Sequence, residues 1–144
     1  LSMKKLGRKE SLLPKKRQSQ MISLINFIDA NIFIQRWHDP KAEKFTNELH
    51  REQHCTSVLV LIEVHHKLKK KNIANTFEYI RDIMGTIKVY DVFQDDFFHA
   101  IKNPLDINIS DKVHLAVMKR NNIHTIISFD RDFDKDKAVV REEP

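Results

Sequence analysis

Asp29, Glu63, Asp111 and Asp130 stand out in the sequence by what surrounds them. Asp29 and Asp130 each close an apolar run, Ile22 to Asp29 and Ile123 to Asp130. Glu63 interrupts Val58-Leu59-Val60-Leu61-Ile62 and Val64, and Asp111 opens a stretch with an apolar face. Carboxylates gathered at one point repel each other and raise each other's pKa unless a cation sits between them. Oxygen-only ligand sets select hard ions such as Mg²⁺ or Mn²⁺, which keep waters and accept phosphate oxygens. The chemistry such a set supports is hydrolysis of a phosphodiester: the metal polarises the phosphoryl group, lowers the pKa of an attacking water and steadies the leaving oxygen, with one ion or two.

The elements that must position these acids follow from hydrophobic pattern and punctuation. The run from Ile22 predicts a central strand buried on both faces. A short helix over Ala30 to Arg36 follows, then a longer one over Lys41 to Glu52, entered through Asp39-Pro40 with proline at its first position. Cys55 and Thr56 close a second strand. Ser57 is the expected N-cap of a helix over Val58 to Lys71, whose early turns are apolar on nearly all sides and so predicted buried. Asn75 to Met84 has helical spacing, with Gly85 as its stop. Ile87 to Val92 predicts the third strand, and Asp95 to Lys102 a helix ended by Asn103-Pro104. Ser110 is the expected cap of a helix over Asp111 to Asn121, stopped at Asn121-Asn122. The strand to Asp130, an acidic turn over Arg131 to Asp136 and a last strand over Ala138 to Arg141 complete the chain. Strands alternating with helices predict an α/β fold, a parallel sheet with helices on both faces.

That topology gathers the acids. Open parallel sheets bind ligands at the carboxyl edge of their strands, where Asp29 and Asp130 lie. A helix leading into a parallel strand starts near the same edge, which brings Asp111 there. The Glu63 helix leaves the second strand from that rim. A carboxylate buried without a partner costs several kcal/mol, so Glu63 needs compensation, by a shared cation or by an internal Lys or Arg. Blander roles exist beside this one: Asp29 as a helix cap, Asp111 as a first-turn acid favoured by the helix dipole, and Asp132 to Asp136 as a solvated turn. His65 and His66 do not have the His-Glu-x-x-His spacing of zinc proteases.

Phe27-Ile28-Asp29-Ala30-Asn31-Ile32, Ile62-Glu63-Val64, Ile109-Ser110-Asp111 through Ala116, and Ile127-Ser128-Phe129-Asp130-Arg131-Asp132-Phe133, in this order, resemble the motifs of the PIN-domain ribonucleases, including the VapC-like toxins of prokaryotic toxin–antitoxin modules. The resemblance runs from Met21 to the end of the chain. It implies a three-layer α/β/α fold with a central parallel sheet, and RNA hydrolysis dependent on Mg²⁺ or Mn²⁺. It also implies Asp29, Glu63, Asp111 and Asp130 as metal-binding catalytic residues, with Asn31 and Ser128 as supporting polar residues. Asp132 competes with Asp130 for the place of the fourth acid. A homodimer and an antitoxin protein are the partners implied.

Length and charge bound the remaining choices. The 144 residues fit one domain, expected over residues 21–144, and 41% hydrophobic with 31% charged residues reads as soluble and globular. The N-terminal run has no secretory signal pattern, and the single cysteine, Cys55, forms no disulfide framework, which points to a reducing, cytoplasmic setting. Of the net charge of +5, residues 1–20 carry +6 and the remainder −1. The basic tail is either a phosphate-gripping arm or a flexible, solvated leader, in part an added segment before a natural start at Met21. Competing readings are a phosphohydrolase of the haloacid-dehalogenase type, which wants a second acid where Asn31 stands, a receiver-type signalling module, which wants a lysine ending its fifth strand, and a catalytically silent PIN-fold scaffold.

Overall fold

The computed structural model describes residues 25–144, so the basic segment 1–20 and the opening of the run from Ile22 lie outside the described residues. Five strands, β1 (Asn26–Ile28), β2 (His54–Ser57), β3 (Lys88–Tyr90), β4 (Thr125–Ile127) and β5 (Val140–Glu142), form one sheet in the order β3-β2-β1-β4-β5. Every neighbouring pair is parallel. Six helices connect them: α1 (Ala30–Ile34), α2 (Pro40–Asn47), α3 (Val58–Lys70), α4 (Thr76–Thr86), α5 (Gln94–Lys102) and α6 (Ile109–Arg120). The chain adds β2 and β3 on one side of β1, then returns to add β4 and β5 on the other. Crossovers that change direction in this way put helices on both faces, giving three α/β/α layers.

β1, at the centre, and its neighbour β4 are the most apolar strands. Phe27 and Ile28 of β1 and Ile126 and Ile127 of β4 are buried, and they pack with Phe33, Leu68, Met118 and Phe133 in one core. The edge strands are half-covered, with Lys88 and Val140 exposed. Cys55 is buried on β2, and burial pushes its thiol up to about 12, so it behaves as a small apolar side chain.

Local chemistry explains the helix boundaries. Ser57 caps α3 through its hydroxyl, which accepts from the Val60 N–H at 3.3 Å. Asn72 and Asn122 adopt positive φ just past α3 and α6, and the following amides return to carbonyls of the last turn, Ile73 to Leu68 and Ile123 to Met118. Asparagine tolerates this left-handed closure, which satisfies otherwise orphaned carbonyls.

Several features differ from the sequence expectation. The helix expected to Glu52 ends at Asn47, because the His54 imidazole accepts the His50 N–H and folds the chain into β2. Gly85 is not a stop: α4 runs through it to Thr86, with open space where a Cβ would stand. α6 starts at Ile109 rather than after a Ser110 cap, since the Asn108 carbonyl already accepts from the Lys112 amide at 3.1 Å. β5 starts two residues and ends one residue later than expected, where the Glu142 carbonyl receives the Ser128 N–H at 3.0 Å. The opening of α3 is amphipathic rather than buried all round: Val60, Leu61 and Val64 face the core while Val58 and Ile62 are exposed.

A candidate metal centre at the carboxyl edge of the sheet

β1 and β4 are neighbours on either side of the point where strand order reverses, paired from Asn26↔Thr125 to Ile28↔Ile127. A doubly wound sheet opens a crevice there, beyond the carboxyl ends of the two strands. Asp29 and Ser128 follow the two strands directly, and the Asp29 N–H donates to the Ile127 carbonyl at 3.0 Å. Both side chains are therefore set by the sheet itself.

A polar network fixes them further. The Asp29 carboxylate accepts from the Ala30 N–H at 2.8 Å, the Ser128 hydroxyl at 2.6 Å and the Asn31 amide at 3.2 Å. Asn31 also donates to Ser128 Oγ and accepts the Phe129 N–H, both at 3.2 Å. Ser128 Oγ in turn accepts the Asp130 N–H at 3.0 Å. Asn31 and Ser128 thus bind the first acid to the loop that carries Asp130. Asp130 accepts the Asp132 N–H at 2.9 Å and so caps the 3-10 turn Arg131–Lys135, while Asp132 pairs with Lys135 at 3.2 Å.

Carboxylates arrive at this edge in two groups. Asp29, Glu63 and His114 place ligand atoms within 4.8 Å of one another, and Asp111, Asp130 and Asp132 do the same. The groups feel each other: burial comes first in raising the Asp111 carboxyl to about 7, and the charges of Asp29, Asp130 and Glu63 add to it against His114. Asp29 is raised as well, by burial first, against His114 and its hydrogen bonds. Asp29 and Asp111 are only 6% and 7% exposed. Among the described residues, neither they nor Glu63 pairs with a lysine or arginine, and the one basic partner is His114.

Glu63 differs from the sequence expectation in environment. Its side chain is 31% exposed rather than enclosed, and His114, not Lys or Arg, answers it, with Nε2 at 2.8 Å from Oε1. His114 went unnoticed in the sequence. It stands three residues after Asp111, one turn along the same face of α6, inside the apolar run Val113 to Met118. A histidine in such a run was the available signal. Burial opposes its charge, but the Glu63 hydrogen bond and the charges of Asp29, Glu63 and Asp111 raise its pKa.

The donor set fits a hard divalent ion. Five of its six members, Asp29, Glu63, Asp111, Asp130 and Asp132, offer carboxylate oxygens and the sixth is the His114 imidazole; burial raises the Asp29 and Asp111 carboxyls, and neighbouring acids add to it. The blander roles are also filled, since Asp29 caps α1 and Asp111 lies in the first turn of α6, but neither role raises a carboxyl pKa. His65 and His66 are exposed and lie outside both groups.

Comparison with known proteins bears on what this edge is. None of the curated proteins matches the chain in sequence. Among solved structures, a toxin–antitoxin complex from Klebsiella pneumoniae aligns with a TM-score of 0.63 at 19% identity, over 80% of this chain and 95% of that one. Mycobacterium tuberculosis VapC20, described as a toxin that cleaves the sarcin-ricin loop, aligns with a TM-score of 0.63 at 20% identity, over 75% and 92%. VapBC2 from Rickettsia felis, bound to a DNA fragment from its promoter, aligns at 0.61 and 15% identity, over 83% and 98%. At these identities the likeness is one of fold. The family model for the PIN domain matches residues 27–137, spanning every acid of the edge, and the chain belongs to the PIN domain family.

Proposed function

We propose that the chain is a metal-dependent endoribonuclease, the toxin of a toxin–antitoxin pair acting in the cytoplasm. The observation that carries this reading is the pair of buried acids, Asp29 and Asp111, which share one crevice with Glu63 and Asp130 and have no lysine or arginine partner among the described residues. A fold tolerates such a cluster when a cation completes it. The fold shared with toxin–antitoxin structures supports the biological role.

In this reading Asp29, Glu63, Asp111 and Asp130 hold Mg²⁺ or Mn²⁺, with Asp132 beside Asp130. The bound ion would supply Lewis-acid polarisation of the phosphodiester and a water of lowered pKa. The residues of the chain do the positioning. Ser128 and Asn31 fix the Asp29 carboxylate through its Oδ2, and Asp130 is oriented by the turn that it caps. Asn31 also weakens the phosphohydrolase alternative, because the place of a proton-handling acid is taken by an amide committed to three hydrogen bonds. Partners have surface to use: Val58 and Ile62 on α3 and Phe77 and Met84 on α4 are exposed large apolar side chains of the kind a homodimer or an antitoxin covers.

The test is cleavage of RNA by the purified protein with Mg²⁺, Mn²⁺ or EDTA, beside the Asp29→Asn and Glu63→Gln variants and with p-nitrophenyl phosphate as a second substrate. The expected result is RNA cleavage with metal only, lowered at least ~10²-fold in each variant, as when one preorganised electrostatic group is removed. Cleavage that survives EDTA and both substitutions would sink the mechanism, and turnover of p-nitrophenyl phosphate alone would replace it with the phosphatase.

A further inference from the structure

His114 is enclosed at 0% exposure beneath the candidate site, its ring 5.7 Å from that of Phe27 on β1 at 42°. Its Nε2 lies 2.8 Å from Glu63 Oε1 and 3.8 Å from Asp29 Oδ1. The first distance is a hydrogen bond and the second is not, so the N–H is given to Glu63. Its Nδ1 has no hydrogen-bond partner among the described residues. A histidine kept only for packing or for tying elements together has both ring nitrogens engaged or gives way to an apolar residue, since an unpartnered buried nitrogen costs stability. Among the described residues, the single polar bond that His114 makes is to an acid of the site.

The two side chains differ in freedom. Glu63 is long and partly exposed, and alone it would sample several rotamers over the solvent. The imidazole is short, hidden and fixed by α6 and Phe27. A rigid donor bonded to one oxygen of a mobile carboxylate selects one orientation of that carboxylate and leaves its other oxygen for an ion.

We propose that His114 is a positioning residue that holds the Glu63 carboxylate ready for the divalent ion; this rests on the metal-dependent reading given above. α6 then delivers two groups to the edge from one face: Asp111 to the ion, and His114 to the glutamate beside it.

Metal affinity without RNA tests this directly. Mn²⁺ binding is titrated at one pH and followed by the electron paramagnetic resonance of the free ion, in wild type, Asp29→Asn, His114→Leu and His114→Gln. The last two are repeated in a Glu63→Gln background, and thermal melts verify folding. Loss of a partner that orients a metal-binding side chain weakens affinity by about 10- to 100-fold, the range expected for His114→Leu. Glutamine carries an amide N–H near the position of Nε2, so His114→Gln is expected within about threefold of wild type. In the Glu63→Gln background, His114→Leu is expected to change affinity less than about twofold, since the acid through which it acts is gone.

Wild-type affinity in His114→Leu overturns the inference. So does an equal loss with and without Glu63, which would make the imidazole a ligand in its own right. If His114→Leu does not fold, His114→Gln decides: affinity near wild type supports the inference, and affinity as weak as Glu63→Gln overturns it. A wild type that binds no Mn²⁺, or binds it as tightly as Asp29→Asn does, removes the metal-dependent reading first and the inference with it; wild-type binding lost in Asp29→Asn leaves only the role of His114 in question.

Discussion

Asp96 and Asp111 sit on the packed pair α5 and α6, are 1% and 7% exposed, and titrate in opposite directions. Burial pushes both carboxyls up. At Asp96 the push is overcome: Arg120 reaches it through Nε and Nη2, both at 2.9 Å, the Phe93 N–H adds a third bond at 2.8 Å, and the pKa ends below its ordinary value. At Asp111 burial is joined by the charges of Asp29, Asp130 and Glu63 against that of His114, and the pKa climbs to about 7. One acid is built into the fold as a charge with its answer beside it, and the other has no lysine or arginine answer among the described residues. A buried ion pair tells little about activity, whereas a buried acid without a counterion points to something the protein binds.

The two acids can be told apart by substitution. Asp111→Asn keeps the shape, removes the uncompensated charge and removes a proposed metal ligand. RNA cleavage is expected to fall at least ~10²-fold while the metal-free protein unfolds at a higher temperature than wild type, the trade seen when a strained functional charge is neutralised. Cleavage assays and thermal melts in EDTA check both halves. A variant that stays active, or that melts earlier in EDTA, would make Asp111 an acid of the same kind as Asp96.

A smaller effect separates them by pH. The folded-state pKa of Asp111 is raised from 3.8 to about 7, and Asp29 is raised in the same direction. A raised carboxyl means that the fold holds its proton more tightly than the unfolded chain does. The resulting stability is complete below the unfolded pKa, about 4, and is lost as pH rises through the folded value. With EDTA present, the free energy of unfolding from urea titrations is expected to drop by on the order of 2–3 kcal/mol between pH 5 and 8, the part of the Asp111 shift that falls inside that window. Mn²⁺ should reverse the slope, since metal and protons compete for the same oxygens. Asp111→Asn should flatten it. A level profile in EDTA would mean that the edge is already balanced without a metal.

How much of this could be read from residues alone depends on distance along the chain. Asp29 and Asp130 are legible because each ends a strand, and a parallel sheet turns strand ends into one edge. Asp111 follows because a helix entering β4 must begin there. Glu63 shows as a charge in an apolar run, though the exposure of Ile62 and Val58 reveals that the run overstated its burial. His114 carried the same signal in reverse, a polar ring among Val113, Leu115 and Val117, and its meaning needed the fold, because Glu63 lies 51 residues away. Gly85 reads as a stop only if the chain needs left-handed geometry after it. Here the helix continues, and the turn into β3 is made at Ile87, which is extended and buried. Asp96 and Arg120 are 24 residues apart in a stretch with no local pattern, so nothing in the sequence joined them.

The pair that the sequence hid supplies the smallest effect and the contrast for the rest. In Asp96→Asn the one remaining oxygen can take the Oδ2 place and accept from Arg120 Nη2 and the Phe93 N–H. Both bonds then go to a neutral acceptor and the amide nitrogen cannot accept from Nε, so the second charged contact is lost and the cap of α5 is weakened. Arg120 is not stranded, because its side chain remains 29% exposed, its Nη2 keeps the Asp91 carbonyl at 2.8 Å and its guanidinium lies 4.2 Å over the Phe93 ring. The cost is therefore that of a charged hydrogen bond and a helix cap, about 2 kcal/mol, rather than that of a fully buried ion left alone. The sign with pH is the opposite of that at Asp111: a lowered carboxyl contributes above about pH 4 and fades as the solution is acidified through its folded pKa, so the loss in Asp96→Asn is full at pH 7 and shrinks toward pH 3. Metal-dependent RNA cleavage per folded molecule should be unchanged. Urea titrations at the two pH values and a cleavage assay below the melting temperature measure this, and a loss of activity without a loss of stability would erase the distinction between the two acids.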